Sequence, residues 1–437
     1  MSTPAYTPGT LPVYNVLDYG AIGDGTTDNT TAFINAINAI QSSGGPGILY
    51  VPSYTPNCLG YVVQNGRLTI SQPNIVLQGA GSMGSNGGGV GASTILGNGS
   101  GSTFTISAMG CTVRDLAFKP GPTSSQSGSD SYLNISFLTG PGGGQITVSN
   151  VHMESPFIGI TLYQPPTYEG RPTGGNYWIE RVVMEGGFVA GGGGINANVG
   201  GAAINIRHVI MYNTNGPASQ PGYGIQVTNA AELIICDGTD IDMMGSCLNI
   251  VPGTNQAVGA VLVSDSLFDT GNGAGCVTIF PTGNGWVQVV RFSNVWTSTQ
   301  IGVSPNTSGF FFDGLNSTPP AGMKAIQDVS LVNCLGQGFN GHAGLFAAGV
   351  DALSVTSSTF SGNAFGIYIY NNMYNFILNG NKCGPFSYGG ANTSWGILIN
   401  AGCDHYVISN NLLNGNGAGG LADLGLTDKQ IGLNQQT

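Results

Sequence analysis

The fold is decided by residues 14–30, which read YNVLDYGAIGDGTTDNT. A helical pattern follows, because Phe33, Ile34, Ile37 and Ile40 recur at steps of three and four residues. Asp28 is the predicted N-cap of this helix, and the Gly-Gly pair at 44–45 is its predicted stop. A strand, ILYVP at 48–52, comes next. We therefore expect one short amphipathic helix over residues 30–41, in front of a long stretch without a comparable helical pattern.

That long stretch repeats a short β-rich unit with a polar turn residue inside it. The copies begin at Val113, Val148, Ile179, Ile206, Ile235, Val263, Phe292, Val329, Val355, Leu378 and Ile408. A period of roughly 23 to 37 residues is typical of solenoids. Strand-length pieces separated by Gly, Asn and Ser turns, with no helix in each repeat, predict a β-solenoid.

The helix is well placed to cover the first coil, whose open strand edges would otherwise pair with other chains. The segment NVLDYGAIGDGTTDNT, the helix, ILYVP and the later VLQGAGS at 76–82 together resemble the start of the pectate-lyase-like right-handed parallel β-helix superfamily. That superfamily includes polygalacturonase-type hydrolases, polysaccharide lyases and phage tailspike depolymerases.

The resemblance and the repeats together predict an all-β fold. We expect a single-stranded right-handed parallel β-helix, a β-solenoid, with an N-terminal capping α-helix. The expected organisation is an N-terminal arm at 1–13, the N-terminal motif and capping helix at 14–52, the parallel β-helix at 53–427 and a C-terminal tail at 428–437. A fold of this kind hosts many chemistries, so the reaction has to be argued from the site.

Composition excludes several functions. Of 437 residues, 10 are Lys or Arg and 21 are Asp or Glu, for a net charge of −11. No basic stripe is present to displace counterions from nucleic acid or to bind an anionic membrane surface, and no apolar run approaches the ~20 residues of a spanning helix. No C-x-x-C occurs, so we read most cysteines as reduced core residues rather than zinc ligands or disulfides.

Equivalent residues of successive coils stack about 4.8 Å apart, so the alignment can be read as vertical columns. Two positions after each start lies a column of predicted turn residues: Asp115, Asn150, Arg181, His208, Asp237, Asp265 and Asn294. The columns three and five positions after it are predicted core, and the second of them contains Met153, Met184, Met211 and Phe268.

The column six positions after the start is predicted to face outward, and it is acidic. It contains Glu154, Glu185, Tyr212, Asp269 and Ser298, with Ile241 where the pattern breaks. One inserted residue near Gly238 would turn Ile241 inward and bring Asp242 into the outward column, with Asp240 facing out beside it. The catalytic candidates are therefore Glu154, Glu185, Asp240, Asp242 and Asp269. A solvated acidic face that keeps the protein soluble is the alternative interpretation.

Paired carboxylates suit glycoside hydrolysis, in which one protonates the leaving oxygen and the other acts as base or nucleophile. Stacked like charges would raise one pKa and supply the acid. Glu154 and Glu185 lie one coil apart, near the roughly 5–5.5 Å expected for retention, whereas Glu185 and Asp242 lie two coils apart, closer to the roughly 6.5–9.5 Å of inversion. The sequence does not choose between these pairs.

Substrate contacts are predicted at aromatic and cationic side chains near this column. Tyr163, Tyr168, Tyr212 and Trp296 are candidate stacking faces for sugar rings, and Arg171 is a candidate carboxylate ligand. A lyase would need a base and a cation, for which Arg171, Arg181 and Arg207 are the nearest candidates. Asp237, Asp240 and Asp242 could hold Ca²⁺, although the segment is not an EF-hand loop. The polygalacturonase signatures Asn-Thr-Asp, Asp-Asp and Gly-His-Gly are missing, so no catalytic residue is carried over from that family.

The sequence therefore predicts a tailspike-like polysaccharide depolymerase. Hydrolysis is preferred because carboxylates are available and cations are scarce, and no cofactor or metal is expected. A polysaccharide lyase, with Arg or Ca²⁺ assistance, and a non-catalytic glycan-binding or structural β-helix are the alternatives. No secretory signal pattern is visible at the N-terminus, which fits an extracellular or virion-associated protein released by lysis. The resemblance to tailspikes implies a homotrimer, with no nucleic-acid or membrane partner.

Overall fold

The computed structural model describes residues 11–53, 59–82, 92–137, 144–165, 167–168, 171–172, 174–188, 191–214, 222–269, 271, 273–299, 306–386 and 390–436. The chain divides into two compact units, Met1–Asn215 and Gly216–Thr437. Each is a stack of parallel coils, the arrangement of a parallel β-helix, and each is described separately. Among the described residues, no helix is long and apolar enough to cross a membrane.

The first unit places its parallel strands in two sheets, A and B. Sheet A contains Val13–Asn15, Asp24–Asp28, Gly47–Val51, Gly60–Gln64, Ile75–Gly79, Thr94–Gly99, Thr112–Ser124, Gln145–Glu154, Asn176–Gly186, Ala203–Arg207 and Ile210–Asn213. Sheet B contains Leu68–Ile70, Phe104–Ile106, Ser131–Ser136, Ile158–Tyr163 and Gly193–Asn198. A small antiparallel hairpin, Thr167–Tyr168 with Arg171–Pro172, lies outside both sheets.

The second unit repeats this plan. The long strand Tyr223–Cys236 contributes its first part to sheet B of this unit and its second part to sheet A. Sheet A continues with Asp240–Asp242, Ala257–Asp269, Trp286–Val287, Val290–Ser298, Ile326–Val332, Leu335–Gln337, Val350–Thr356, Thr359–Ser361, Tyr374–Asn379, Lys382–Cys383, Asp404–Ser409 and Lys429–Ile431. Sheet B continues with Ser246–Ile250, Gly275–Ile279, Ser308–Asp313, Ala343–Ala348, Phe365–Ile369, Trp395–Ile399 and Gly419–Asp423. The strand Lys429–Ile431 lies within the segment predicted as a tail.

The predicted repeats correspond to in-register coils at all but one of the positions that can be compared. Val113 pairs with Val148 and Val148 with Ile179 in the first unit, and these side chains are fully buried. In the second unit, however, Phe292 pairs with Leu331 and not with Val329. The predicted copy at Val329 was thus placed two residues too early, because Val329 and Leu331 are both buried and apolar and so fit the pattern equally well.

The N-terminal helix spans Thr30–Ser43 and ends at Gly44, whose φ of 68° is the left-handed conformation that glycine tolerates. Its N-cap position is Asn29 rather than the predicted Asp28, but the Asp28 carboxylate still accepts a hydrogen bond from the Thr30 backbone N–H at 2.9 Å. Phe33 is buried and packs edge-on against Tyr61 and Phe104. The capping role of this helix and the handedness of the coil stay predictions.

The predicted turn column is confirmed in its backbone conformation. Asp115, Asn150, Arg181, His208, Asp237, Asp265 and Asn294 all have positive φ, between 49° and 59°. Several of their side chains bond the equivalent residue of the neighbouring coil. Asn150 Nδ2 donates to Asp115 Oδ1 at 3.0 Å, and Asn294 Nδ2 donates to Asp265 Oδ1 at 2.9 Å. Stacking brings equivalent residues closer to one another than to a free backbone group.

The second unit contains buried ladders of asparagine. Asn411 Oδ1 accepts from the backbone N–H of Asn381 at 2.9 Å and from its Nδ2 at 3.1 Å. Asn411 Nδ2 in turn donates to Leu378 O at 2.9 Å and to Asn434 Oδ1 at 3.0 Å. Asn363, Asn392 and Asn416 form a second ladder of this kind. These amides satisfy turn backbone groups that have no partner in the sheets.

A glycine column runs along sheet B of the second unit. A Cβ added at Gly309, Gly344, Gly366 or Gly396 would meet the carbonyl oxygen of the glycine in the next coil at 2.6, 2.9, 2.4 and 2.7 Å. Neighbouring coils can therefore pack together at these four positions only because the glycines have no side chain.

We expect Gly366→Ala to destabilise the protein by about 1–3 kcal/mol, because the added methyl group forces neighbouring coils apart. Urea denaturation followed by circular dichroism measures this change. Gly45→Ala is the matched control, since an added Cβ there meets nothing within 4 Å. Equal midpoints for the two variants would contradict the expectation.

Candidate functional site

The outward acidic column of the first unit has the predicted register. Glu154 pairs with Glu185 on the next strand, and Glu185 pairs with Tyr212. Both carboxylates are half-buried and Tyr212 is exposed. The inward neighbours Met153, Met184 and Met211 are fully buried, which confirms the predicted Met column as core.

Each of the two glutamates contacts a nitrogen of a nearby side chain. Lys119 Nζ lies 2.6 Å from Glu154 Oε2, and its side chain is only 12% exposed. His152 Nε2 lies 3.0 Å from Glu185 Oε1, and the His152 side chain is 10% exposed. His152 Nδ1 is buried and has no hydrogen-bond partner. We call Lys119, His152, Glu154, Glu185 and Tyr212 the glutamate cluster.

The second unit has three aspartates on the outward side of two neighbouring strands. Asp242 pairs with Asp269, and Asp240 pairs with Leu267. Ile241, between the two aspartates, pairs with Phe268, and both are fully buried. The inward turn predicted for Ile241 is therefore confirmed, and Asp240 and Asp242 face outward on either side of it. We call Asp240, Asp242 and Asp269 the aspartate cluster.

Asp240 has an environment that favours the protonated form of its carboxyl group. Burial raises the pKa of its carboxyl group above the usual value, and the negative charge of Asp269 raises it further. Its Oδ1 atom is buried without a hydrogen-bond partner. A proton on Asp240 relieves both the desolvation and the repulsion.

The strands beneath the aspartate cluster are held by hydrogen bonds from neighbouring coils. Ser298 is in register with Asp269 and donates from Oγ to Asp269 Oδ1 at 2.5 Å. The fully buried Cys247 thiol lies 3.3 Å from Ile241 O and 3.4 Å from Asp269 O. These contacts fix the direction of the Asp269 carboxylate and the backbone that presents it.

Trp296 belongs to the same outward face. It pairs with Leu267, which itself pairs with Asp240, so Trp296 lies two coils from Asp240 in one column. Its side chain is 39% exposed. An exposed indole at this distance can stack on a sugar ring bound across the aspartate cluster.

The remaining predictions for the site do not add a residue to either cluster. Tyr163 is half-buried on sheet B of the first unit, whereas Glu154 and Glu185 lie on sheet A. Tyr168 and Arg171 pair within the small hairpin, and their side chains lie outside the described residues. Glu185 and Asp242, the predicted inverting pair, belong to different units.

Among the described residues, no group of three or more His, Cys, Asp or Glu side chains is arranged to hold a metal ion. Arg181, a cation candidate for the lyase reaction, instead donates to Glu180 Oε1 and Asn150 Oδ1, both at 2.7 Å. The Arg181 guanidinium is thus already hydrogen-bonded to two neighbouring side chains.

Comparison with known proteins gives a family match at the N-terminus. Residues 13–103 match the family model described as rhamnogalacturonase A/epimerase, pectate lyase-like. The predicted resemblance to pectate-lyase-like proteins is confirmed. Alginate lyase 7 of Azotobacter vinelandii is 41% identical over 68 residues, which is 16% of this chain and 8% of that protein. The matched region thus spans less than a tenth of the curated relative.

Solved structures with a similar coil cover most of the chain. The catalytic unit of a GH87 α-1,3-glucanase from Streptomyces thermodiastaticus has a TM-score of 0.49 and 16% identity, covering 99% of this chain and 70% of that one. The A-module of the mannuronan C-5 epimerase AlgE6 from Azotobacter vinelandii has a TM-score of 0.47 and 17% identity, covering 96% and 99%. These values are too low to assign a reaction to this chain.

Sequence reasoning missed two residues of the glutamate cluster, Lys119 and His152, and it identified Ser298 only as a member of the outward column. Lys119 lies six positions after Val113, so the column rule that found Glu154 would also have found it. His152 precedes Glu154 by two residues and shares its outward side. Ser298 occupies the column position next to Asp269. Listing every residue at this column position, and not only the acidic ones, would have identified Lys119.

Proposed function

We propose that this chain is a polysaccharide-cleaving enzyme that hydrolyses glycosidic bonds at the aspartate cluster. The observation that carries the proposal is Asp240, a half-buried carboxyl group with a raised pKa beside two further aspartates. A protonated acid and an ionised carboxylate on one face are the two groups that glycoside hydrolysis requires.

The positions of the aspartates on their strands support different catalytic roles for them. Asp242 and Asp269 are paired neighbours, so their Cα atoms lie about 4.8 Å apart. Asp240 precedes Asp242 by two residues, so its Cα atom lies about 8 Å from that of Asp269 on the diagonal. Carboxyl groups that extend in parallel from these two positions would keep a similar separation, which is compatible with the roughly 6.5–9.5 Å between the carboxyl groups of inverting enzymes.

In the proposed mechanism, Asp240 donates its proton to the leaving glycosidic oxygen as the C1–O bond breaks. Asp269, directed by Ser298, accepts a proton from the water that forms the new bond to C1. Asp242 adds negative charge beside the positive charge that develops on the sugar ring. Trp296 supplies an apolar face for a neighbouring sugar.

The polysaccharide substrate is inferred from the relatives. The family description names a rhamnogalacturonase and an epimerase, and the curated relative is an alginate lyase. These proteins support a polysaccharide substrate for this chain but differ in reaction, so hydrolysis rests on the aspartate cluster alone.

The deciding experiment is a reducing-end assay on neutral and acidic polysaccharides, with absorbance at 235 nm recorded in parallel. New reducing ends without absorbance are expected, since hydrolysis leaves no double bond. New ends with absorbance would exclude the hydrolytic mechanism. Proton NMR of the first product then distinguishes inversion from retention.

A lyase acting at the glutamate cluster is the second candidate. The observation that favours it is the buried ion pair of Lys119 with Glu154 next to the contact of His152 with Glu185. β-Elimination from a uronate needs a cation near the sugar carboxylate, a base that removes the proton at C5 and an acid for the leaving oxygen. Lys119, His152 and Tyr212 provide these functional groups in one unit.

Lys119→Met separates the two candidates. If the glutamate cluster is the active site, we expect the rate to fall about 10²-fold or more, because the substrate carboxylate loses its cation. If the aspartate cluster is the active site, the rate should stay within a factor of about two. Lys382→Met, an exposed lysine in the second unit, is the control for loss of a positive charge. Circular dichroism must show that both variants are folded.

We further propose that the enzyme works as a homotrimer outside the cell or on a virion. The support is the resemblance to tailspike depolymerases that the N-terminal motif and the repeats carry. Light scattering that returns the mass of one 44.6 kDa chain would exclude the trimer.

A further inference from the structure

The outward side of sheet B in the second unit carries a ladder of aromatic side chains. Phe311 pairs with Phe346 on the next strand, and Phe346 pairs with Tyr368 on the strand after that. Phe365 and Tyr370 flank Tyr368, and His342 precedes the strand of Phe346. We call Phe311, His342, Phe346, Phe365, Tyr368 and Tyr370 the aromatic ladder.

The rings of the aromatic ladder support one another. Phe311 and Phe346 are stacked, with centroids 5.0 Å apart and planes inclined by 11°. Tyr368 meets Phe346 edge-on at 5.5 Å and Tyr370 edge-on at 5.7 Å. Phe346 is 9% exposed and forms the buried centre, while the other five side chains are half-buried. Each of these five side chains is therefore partly exposed to solvent, and Phe346 packs at the centre of the group.

The aromatic ladder is an uncharged surface. His342 is held by a hydrogen bond between its Nδ1 and Ser308 Oγ at 2.7 Å, and burial lowers its pKa, which favours the neutral imidazole. Burial likewise raises the pKa of Tyr368, which keeps its hydroxyl group protonated. The neighbouring Asp313 uses its carboxylate to accept from the Leu315 N–H in its own turn, at 2.9 Å. An anionic ligand would therefore find no positively charged side chain in the aromatic ladder.

The shape of the aromatic ladder also restricts its occupant. It spans three coils, or about 10 Å between the first and third strands, and is bounded in register by Thr278 and Leu398. A strip this short is much smaller than the roughly 800 Å² per partner of a stable protein interface. A sugar chain suits it better, because each pyranose combines an apolar C–H face with a rim of hydroxyl groups. The Tyr368 and Tyr370 hydroxyl groups and the imidazole can bond such a rim.

We propose that the aromatic ladder is a binding site for a neutral polysaccharide, separate from both carboxylate clusters. Pyranose rings stack on the exposed parts of Phe311, Tyr368 and Tyr370, and the chain follows the column from coil to coil. The roughly 10 Å between the strands of Phe311 and Tyr368 is close to the length of two pyranose residues, so one sugar chain can contact both side chains while Phe346 supports them from beneath. The site holds substrate or a neutral glycan of the same matrix without taking part in bond cleavage.

The test is affinity electrophoresis in native gels that contain dextran, amylose or soluble β-1,3-glucan, with alginate as the charged comparison. The protein used carries Asp240→Asn and Lys119→Met, so that cleavage at either cluster does not change the gel. We expect at least one neutral glucan, and not alginate, to retard it. Adding Tyr368→Ala should weaken the retardation about tenfold, which corresponds to the loss of about 1.4 kcal/mol of binding free energy. Tyr374→Ala, an exposed tyrosine on sheet A of the same unit, should leave it unchanged.

Several results would overturn this proposal. They are no retardation by any of the three glucans, retardation by alginate alone, or equal retardation of the Tyr368→Ala and parent proteins. A mass in solution that falls when Tyr368 is replaced would show that a second copy of the chain covers the ladder instead. If Tyr368→Ala does not fold, Tyr370→Phe, which removes only a hydroxyl group, should still weaken retardation measurably. The outcome is independent of the reducing-end assay, so failure of this site and failure of the proposed hydrolysis can be told apart.

Discussion

Asp240→Asn is expected to reduce kcat of polysaccharide hydrolysis by about 10²–10⁴-fold, the usual contribution of a positioned general acid. An amide cannot give up a proton to the leaving oxygen, and the variant keeps the shape of the side chain. The raised pKa of Asp240 arises from burial and from Asp269, so the Asn side chain should also be tolerated without loss of stability. The reducing-end assay measures kcat, and thermal denaturation confirms that the variant is folded.

The pH profile of the wild-type enzyme gives an independent reading of the same group. Activity requires the protonated form of Asp240, so kcat/KM should fall as the pH rises through its pKa. Because Asp269 contributes to the rise in that pKa, loss of the Asp269 charge moves this alkaline limb to lower pH. The limb should therefore shift in the residual activity of Asp269→Asn.

Asp351→Asn is the matched control for these variants. Asp351 lies on sheet A of the same unit and accepts a hydrogen bond from Asn375 Nδ2 at 2.8 Å, away from the aspartate cluster. Its substitution should change kcat by less than a factor of about two. Full activity of Asp240→Asn would remove Asp240 from the mechanism and direct attention to the glutamate cluster.

Asn411→Leu is expected to destabilise the protein by about 3 kcal/mol or more. Asn411 is 1% exposed, and its side chain bonds Asn381, Leu378 O and Asn434. Leucine has a similar volume but leaves the Asn381 N–H and the Leu378 carbonyl buried without these partners, and each such group costs about 1–3 kcal/mol. Urea denaturation of the full chain measures the loss.

Gln430→Leu provides the comparison for that substitution, because it also replaces an amide by leucine but at an exposed position. Its effect should stay within about 0.5 kcal/mol. If Asn411→Leu and Gln430→Leu unfold at the same urea concentration, the buried asparagine ladder does not stabilise the second unit.

Much of this fold can be predicted from periodicity. A buried apolar residue recurs once per coil, and turn residues with positive φ follow two positions later, so the sequence alone places Asp115, Asn150 and Asp265 correctly. Alternation within a strand also predicts which side faces the core, as Ile241 shows between Asp240 and Asp242. The register of Val329 could not be predicted, because two apolar residues two positions apart both satisfy the pattern.

The candidate site was only partly predictable. The acidic column identifies the strands that carry the carboxylates, but not which carboxylate is neutralised by a cation and which is raised in pKa. Glu154 differs from Asp240 because Lys119 reaches it from the preceding coil, whereas Asp240 is half-buried beside Asp269. The column rule can place Lys119 beside Glu154, but the burial of Asp240 beside Asp269 depends on side-chain packing between neighbouring coils, which the column pattern does not encode.

The buried thiols have a consequence for how the protein matures. In the described part of the chain the cysteines are free, and burial raises the pKa of Cys111 and brings that of Cys334 to about 11. Oxidants attack the thiolate, which is scarce at such pKa values. The buried thiols of the described coils should therefore resist oxidation whether the coils form in a reducing or in an oxidising compartment.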